Sequence, residues 1–443
     1  VLFRSGQLRY ADAKEITATF GSDAPAVNTM CHRRRYRFGD TLFPDEDIWL
    51  VYPEIPFHLE DGNRIFARVL SQCREYGIRT AVLYYDLVPI RIEEYKNLAA
   101  PHEEYTREIL RADLILPISE FSKNDLASFF EKESGIQDAR VLEEALKKLV
   151  ALPLAGNGPM TPVASVTPET EKRTIIMVGT VEPRKQQPRF LKVFNDAREK
   201  HPVLQDVKVK VFGSRHPASS RDFYAELKRN PNIEYYRFCS DEEIDRAYRE
   251  ALFSVYPSAY EGFGLPILES LEHGVPCLTA HFGAMVEAAG EGGCFLVDVN
   301  DDKSVEEALV KLVTDTSLLE SLRSQIKEKQ FRKWDDYAQD LIRHLSAWNE
   351  SRRKATEVFS SRLQAWLHDQ TPGAHDRFKA GDTDVILLNL GLEDRAPLDP
   401  SASVDRRTTI KITRLIPGPT RPVPRDTLDI LADSDLLLLP GQD

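Results

Sequence analysis

The stretch Ser258-Ala259-Tyr260-Glu261-Gly262-Phe263-Gly264-Leu265-Pro266-Ile267-Leu268-Glu269 decides the fold. It follows the apolar run LFSVYPS and opens a helical pattern that stops at Gly274, so it reads as the turn from a strand into a helix. Gly262 and Gly264 allow a tight turn and a close backbone approach to a ligand, Pro266 suits a first helical turn, and Gly274 suits its end. The helix N-terminus then faces the end of a strand, where free N–H groups and the positive end of the helix dipole suit a diphosphate. Glu261 and Glu269 would repel phosphate, but carboxylates accept hydrogen bonds from ribose and sugar hydroxyls. Polyol plus diphosphate is the chemistry of a nucleotide sugar. A lone Gly-x-Gly would read as an ordinary turn with both acids in water; the joint pattern outweighs that reading.

Outward from this stretch, apolar runs alternate with helical patterns. TIIMVG, a helix around Phe190 to Lys200, VKVKVFG, a helix from Asp241 to Ala251, LFSVYPS, a helix from Leu265 to His273 and VPCLTA make one Rossmann-like half. Upstream, DIWLVY, a helix-like stretch from Arg64 to Tyr76, TAVLYY and ADLILPI repeat the logic, and such strands suit parallel sheets covered on both faces. The Gly/Pro/Thr-rich stretch from Pro153 reads as a linker. The expected division is a first domain over 1–152, a linker over 153–172, a second domain over 173–348 and a C-terminal extension over 349–443. In the extension a further helix runs to about His368, and the apolar DVILLNL precedes a Pro/Arg-rich stretch.

The Glu261-x7-Glu269 spacing around Gly-Phe-Gly-Leu-Pro resembles the donor signature of retaining glycosyltransferases of the GT-B fold, the group 1 family. Gly179-Thr180-Val181-Glu182-Pro183-Arg184-Lys185, between the strand TIIMVG and a helix, resembles the same family's GTxEPRK motif. Arg184 and Lys185 at the edge of a sheet would neutralise a departing diphosphate, and without an anion two cations at a helix start are mildly unfavourable. Thr180 stands where some relatives carry Arg, a contact Arg184 is expected to replace. Gly213 in VFGS and Phe238 in Phe238-Cys239-Ser240-Asp241-Glu242-Glu243 resemble the family's strand-end glycine and base-binding loop, although Ser240 and Glu243 also make a capping box. In the first half, Tyr85-Asp86-Leu87-Val88-Pro89 resembles the family's acceptor-side YDLxP element, and the run from Ile118 to Leu126 its SxxSxxDL element, where Ser122 reads equally as an N-cap.

The resemblance spans about Asp47 to Trp348 and implies an α/β GT-B architecture, two Rossmann-like domains facing a cleft, with retention of anomeric configuration. It implies catalytic roles for Lys185, Arg184, Glu261 and Asp86. Donor-binding roles fall to Gly179, Thr180, Gly213, Phe238, Ser258, Gly262, Phe263, Gly264, Leu265 and Glu269. Glu261 would orient the sugar and Glu269 the ribose. No Asp-x-Asp motif sits at these positions, so no metal and no cofactor is expected, the nucleotide diphosphate sugar being substrate. A mannose-type donor and a glycan or lipid-linked acceptor are expected. The rival readings are a silent nucleotide-sugar-binding module and an isomerising or phosphorolytic enzyme of the same fold.

The 443 residues, 42% hydrophobic and 29% charged, fit two globular cores and a remainder. A net charge of −12 excludes a chain-wide nucleic-acid surface. His32-Arg33-Arg34-Arg35 reads as a solvated loop, and five scattered cysteines without a CxxC pair read as reduced thiols. No apolar run reaches the ~20 residues of a membrane span. A cytoplasmic location is expected, with peripheral contact at the inner face of the membrane. Val1 and the apolar run before Asp443 read as cut ends of a longer, metagenomic-type sequence. Asp433 to Pro440 echoes Asp45 to Pro53, which raises a second transferase unit beside the plainer reading of a buried strand.

Overall fold

In the computed structural model the described residues are 49–53, 55–56, 61–74, 78–156, 158–159 and 173–352, with the backbone alone of 2–4, 7–9, 48, 75, 353–368, 375–380 and 383–388. The His32 to Arg35 cluster, most of the linker, the Pro417 to Pro424 stretch and the tail echo at Asp433 to Pro440 lie outside them. Trp49–Ile342, with Val1–Phe3, forms one compact unit; Arg4–Ile48 and Arg343–Asp443 form another.

Short strands β1 (Leu2–Arg4) and β2 (Gln7–Arg9) precede β3 (Ile48–Tyr52), β4 (Arg79–Tyr84) and β5 (Leu114–Pro117). The last three run parallel and side by side in that order. Helices α1 (Gly62–Glu75), α2 (Val88–Arg91), α3 (Ala99–Glu108), α4 (Glu120–Lys132) and α5 (Ala139–Lys147) accompany them. β5 is buried along its whole length, as its unbroken apolar sequence requires of a covered parallel strand.

The second sheet contains β6 (Thr174–Val178), β7 (Lys208–Phe212), β8 (Ile233–Tyr236), β9 (Phe253–Tyr256), β10 (Cys277–Ala280) and β11 (Cys294–Val297). Their order is β11-β10-β9-β6-β7-β8, all parallel. The chain builds outward from β6 to β8, returns to β9 on the other side of β6, and builds outward again. The strand order therefore reverses between β6 and β9, the place where open α/β sheets leave a crevice at their C-terminal ends.

Helices α6 (Gln187–Lys200), α7 (Ser220–Arg229), α8 (Asp241–Glu250), α9 (Leu265–Glu272), α10 (Ala284–Ala289), α11 (Asp302–Thr314) and α12 (Thr316–Glu328) belong to this half. On α6, Phe190, Leu191, Phe194 and Ala197 recur at helical spacing and are buried in the core formed with β6, β7 and β9. Each such phenylalanine contributes about 2–3 kcal/mol by burial. Ser240 and Glu243 make the capping box of α8: the hydroxyl accepts the Glu243 N–H and the carboxylate accepts the Ser240 N–H.

The further helix expected in the extension is the end of a longer one: α13 runs Trp334–His368. Its sequence holds no proline or glycine until Pro372, so nothing in the backbone stops it. Beyond it β12 (His375–Ala380) and β13 (Thr383–Leu388) pair antiparallel, and the DVILLNL run supplies β13.

The ends of β6 and β7 pack backbone on backbone. A Cβ at Gly213 would lie 2.3 Å from the Gly179 carbonyl oxygen, and Gly213 has φ +136°. Gly213→Ala is expected to cost about 2–4 kcal/mol through the clash and the strained φ. Urea denaturation checks this, and parental stability would contradict the apposition of the two strand ends.

Candidate functional site

Gly179–Lys185 follows β6 and Ser258–Gly264 follows β9, so two segments about eighty residues apart in sequence meet at the point of strand-order reversal. They are bonded directly: the Ala259 N–H donates to the Arg184 carbonyl at 2.7 Å. Gly264, at φ +113°, is the N-cap of α9, with Pro266 in its first turn.

Arg184 does not present a free cation. Its guanidinium is largely buried, 2.7 Å from Glu182 Oε1 and 2.5 Å from Glu261 Oε2, and it donates to the Tyr260 carbonyl. Two carboxylates thus sit against Arg184, the residue expected to replace the contact that Thr180 lacks. Glu261 is 7% exposed rather than open to solvent. Its Oε1 accepts from Tyr256 Oη at 2.6 Å and Ser258 Oγ at 2.9 Å. Ser258 is fully buried and serves to position Glu261. Glu182, quoted within the sequence motif without a role, also accepts a hydrogen bond from Tyr95 of the first half.

Lys185 is the cation turned toward the strand end. A Cβ on Gly179 would lie 3.2 Å from its Nζ, which is 3.5 Å from Glu182 and over the Tyr256 ring at 5.9 Å. Glu269, on α9, makes no hydrogen bond or ion pair through its carboxylate among the described residues. Burial pushes its carboxyl above the ordinary value, while the charges of His273 and Lys185 pull it down. Thr180 Oγ1 lies 3.1 Å from Ser214 Oγ, next to Gly213. Phe238 is 81% exposed beneath Arg237, following the edge strand β8 and so two strands from β6. Phe263 is buried with Ile118 and Leu268, and Leu265 packs against them.

The first half reaches the same loop. A Cβ at Gly262 would come within 2.6 Å of the Tyr85 carbonyl and 3.1 Å of Asp86, so the close approach expected toward a ligand is made to the chain itself. The Gly262 carbonyl accepts from Ser119 Oγ at 2.6 Å and Ser122 Oγ at 2.8 Å. The N-cap of α4 is Ser119, which accepts the Ser122 N–H; Ser122 sits inside the first turn, correcting the N-cap reading. Tyr260 Oη donates to Asp125 at 2.5 Å and accepts the Leu87 N–H, while Arg91 pairs with Asp125 at 3.0 Å. Glu287 accepts the N–H groups of Glu120 and Phe121, capping α4 from the other half. Sequence reasoning missed Glu182, Tyr260, Ser119 and Glu287. Only Ser119 carried a local signal, as a serine ahead of a helical pattern.

Asp86 lies between Gly262 and the Arg184 cluster, its Oδ1 accepting the Val88 N–H at 3.0 Å. Burial raises its carboxyl to about 6, against the Val88 hydrogen bond and the Arg184 charge, which lower it. Among the described residues no three His, Cys, Asp or Glu side chains are grouped to hold a metal ion. No helix among them is long and apolar enough to cross a membrane.

Two α/β halves built on parallel strands, whose strand ends meet at one glycine loop with a basic motif after the first strand of the second sheet, make the architecture of the GT-B fold. Residues 163–330 match the family described as Glycosyl transferases group 1. The chain is 26% identical over 285 residues to O-antigen chain mannosyltransferase B of Escherichia coli, covering 60% of this chain and 69% of that one. It is 32% identical over 121 residues to a capsular polysaccharide biosynthesis glycosyltransferase of Staphylococcus aureus, of which it spans only 31%. Sucrose-phosphate synthase from Thermosynechococcus elongatus shares the fold at a TM-score of 0.54 and 16% identity, over 76% of this chain and 81% of that one.

Because Asp86 holds its proton to about pH 6 in the fold but only to about 4 when unfolded, the native state binds the extra proton between these values. Stability contributed by Asp86 is therefore lost as pH rises through this window, by about 3 kcal/mol for two units. Asp86→Asn removes that loss, so its stability relative to wild type is expected to rise by about this amount between pH 4 and 7. A difference that does not vary with pH, followed by denaturation, would count against it.

Proposed function

We propose that the chain is a retaining transferase that moves a hexose of mannose type from a nucleotide diphosphate sugar to a glycan or lipid-linked acceptor, without a metal or cofactor. The observation that carries the reading is the pair Lys185 and Glu269 at the crevice between β6 and β9, one cation and one half-buried carboxylate without a hydrogen-bond partner among the described residues. Departure of the sugar builds negative charge on the diphosphate. Lys185 and the N-terminus of α9 stabilise that developing charge, which is where an enzyme gains rate. Glu269 accepts the ribose hydroxyls. Glu261 orients the sugar from inside its ion pair, three of its roughly four acceptor directions being filled by Arg184, Tyr256 and Ser258. Asp86 faces the acceptor. The mannose assignment is supported by the named mannosyltransferase relative.

Lys185→Ala is expected to lower turnover about 100-fold with the fold intact, the scale of one preorganised charge contact. Glu269→Ala is expected to weaken nucleotide binding by about 1.5–3 kcal/mol in a titration. A wild-type rate in the first, or unchanged affinity in the second, would remove that residue from the mechanism. Thermal-shift screening of nucleotide diphosphate sugars identifies the donor, since a ligand of the native state raises its apparent stability. Product analysis with and without acceptor separates transfer from isomerisation or phosphorolysis.

Turnover is expected to survive EDTA, because Lys185 and the helix terminus supply the positive charge a divalent ion would otherwise bring. Loss of activity reversed by magnesium or manganese would overturn this.

A further inference from the structure

Glu182 stands between the two cations that follow it. Its Oε1 lies 2.7 Å from Arg184 and 3.5 Å from Lys185 Nζ, and its Oε2 accepts the hydroxyl of Tyr95. Tyr95 comes from the first half, on the helical turn Glu93–Leu98. We propose that Tyr95 is a positioning residue for the donor: by filling Glu182 Oε2 it keeps Lys185 from closing onto that carboxylate, so the ammonium remains available to the diphosphate. The nature of that anion rests on the transferase reading; the sharing of Glu182 does not.

Lys185 has donors to spare. An ammonium brings three N–H groups. That of Lys185 makes no hydrogen bond among the described residues, and its 3.5 Å separation from Glu182 exceeds the ~2.7–2.9 Å of a charge-assisted bond. Arg184 is already fixed between Glu182 and Glu261 and donates to the Tyr260 carbonyl. With the Tyr95 hydroxyl removed, Oε2 would be a buried charged acceptor without a donor, which is costly. Lys185, on the same turn, is the group able to supply one. Its side chain and that of Glu182 are 13% and 9% exposed, so solvent screens their attraction little.

A phenol fits this task because it fills an oxygen without cancelling its charge. Burial and the Glu182 hydrogen bond raise the Tyr95 hydroxyl above its ordinary value, so it remains a donor at neutral pH. Its ring is braced against His216, with 5.5 Å between centroids. Glu182 then holds Lys185 loosely beside Gly179 when no anion is present. A diphosphate carries more charge than the half-committed carboxylate and takes the ammonium over. Since Tyr95 and Lys185 belong to different halves, donor affinity depends on the two halves meeting at Glu182.

UDP, GDP, ADP, CDP and dTDP are titrated calorimetrically into the whole chain, and the tightest binder is followed in Tyr95→Phe, Glu182→Gln and the double variant. Tyr95→Phe keeps the ring and is expected to weaken binding about tenfold, the loss of one charge contact. Glu182→Gln still accepts from Arg184 and turns its amide to the Tyr95 oxygen. Without a charge to capture Lys185, it is expected to bind within about twofold of the parent or more tightly, and adding Tyr95→Phe to it changes nothing further. Equal losses from Tyr95→Phe in both backgrounds mark a merely structural tyrosine and overturn the proposal, as does unchanged affinity in Tyr95→Phe alone. Should Tyr95→Phe not fold, Glu182→Gln decides by itself: parental or tighter binding keeps the proposal, and a loss of about tenfold ends it. If the parent binds a diphosphate and these expectations fail, the transferase reading stands. If it binds none of the five, both fall.

Discussion

Arg184 holds together two carboxylates, Glu182 from its own loop and Glu261 from the loop after β9, in a largely buried cluster. Taking three charges out of water is expensive, and their mutual attraction repays that only when the geometry is good and the remaining lone pairs are filled. Here they are filled: Tyr256 and Ser258 complete Glu261, and Tyr95 completes Glu182. Such a cluster adds little net stability compared with an apolar one, but removing a member leaves a charge buried alone. Its effect is geometric, since it fixes the loops after β6 and β9 against each other at the crevice.

From that fixed loop the contact with the first half follows. Gly262 can approach the Tyr85 backbone only because it lacks a side chain, and its carbonyl then takes the hydroxyls of Ser119 and Ser122. Tyr260, two residues before, reaches Asp125 and the Leu87 N–H. Glu287 satisfies N–H groups at the start of α4 that no residue of that helix can satisfy. The residues after β4, after β5 and after β9 are thereby held in one hydrogen-bonded assembly, and Asp86 is half-buried as a consequence. Its raised carboxyl is the electrostatic mark of that closeness.

The division of labour between the cations follows from the same cluster. Adjacent in sequence, Arg184 and Lys185 carry the same charge, yet one is spent on internal carboxylates and the other stands beside Gly179. A planar guanidinium can bridge two carboxylates at once, whereas an ammonium on a flexible stem is suited to a single point of charge.

Most strands and helices, the parallel arrangement and the glycosyltransferase class were legible from the sequence, because they rest on local periodicity and on motifs that each span a few residues. β6, β9 and α9 fall where TIIMVG, LFSVYPS and Leu265 to His273 place them. The helix of the extension was read as a further one, but no proline or glycine intervenes to separate it from the helix before it. Only the tertiary structure decided the pairing of Glu261 with Arg184, the use of Gly262 against Tyr85, and the capping of α4 by Glu287. Each pairs residues separated by from 77 to 177 positions, and no spacing rule carries that distance. A motif shows which residues gather at strand ends, but burial and hydrogen bonding decide which charges remain for a ligand, since a buried charge must first be matched by the protein itself.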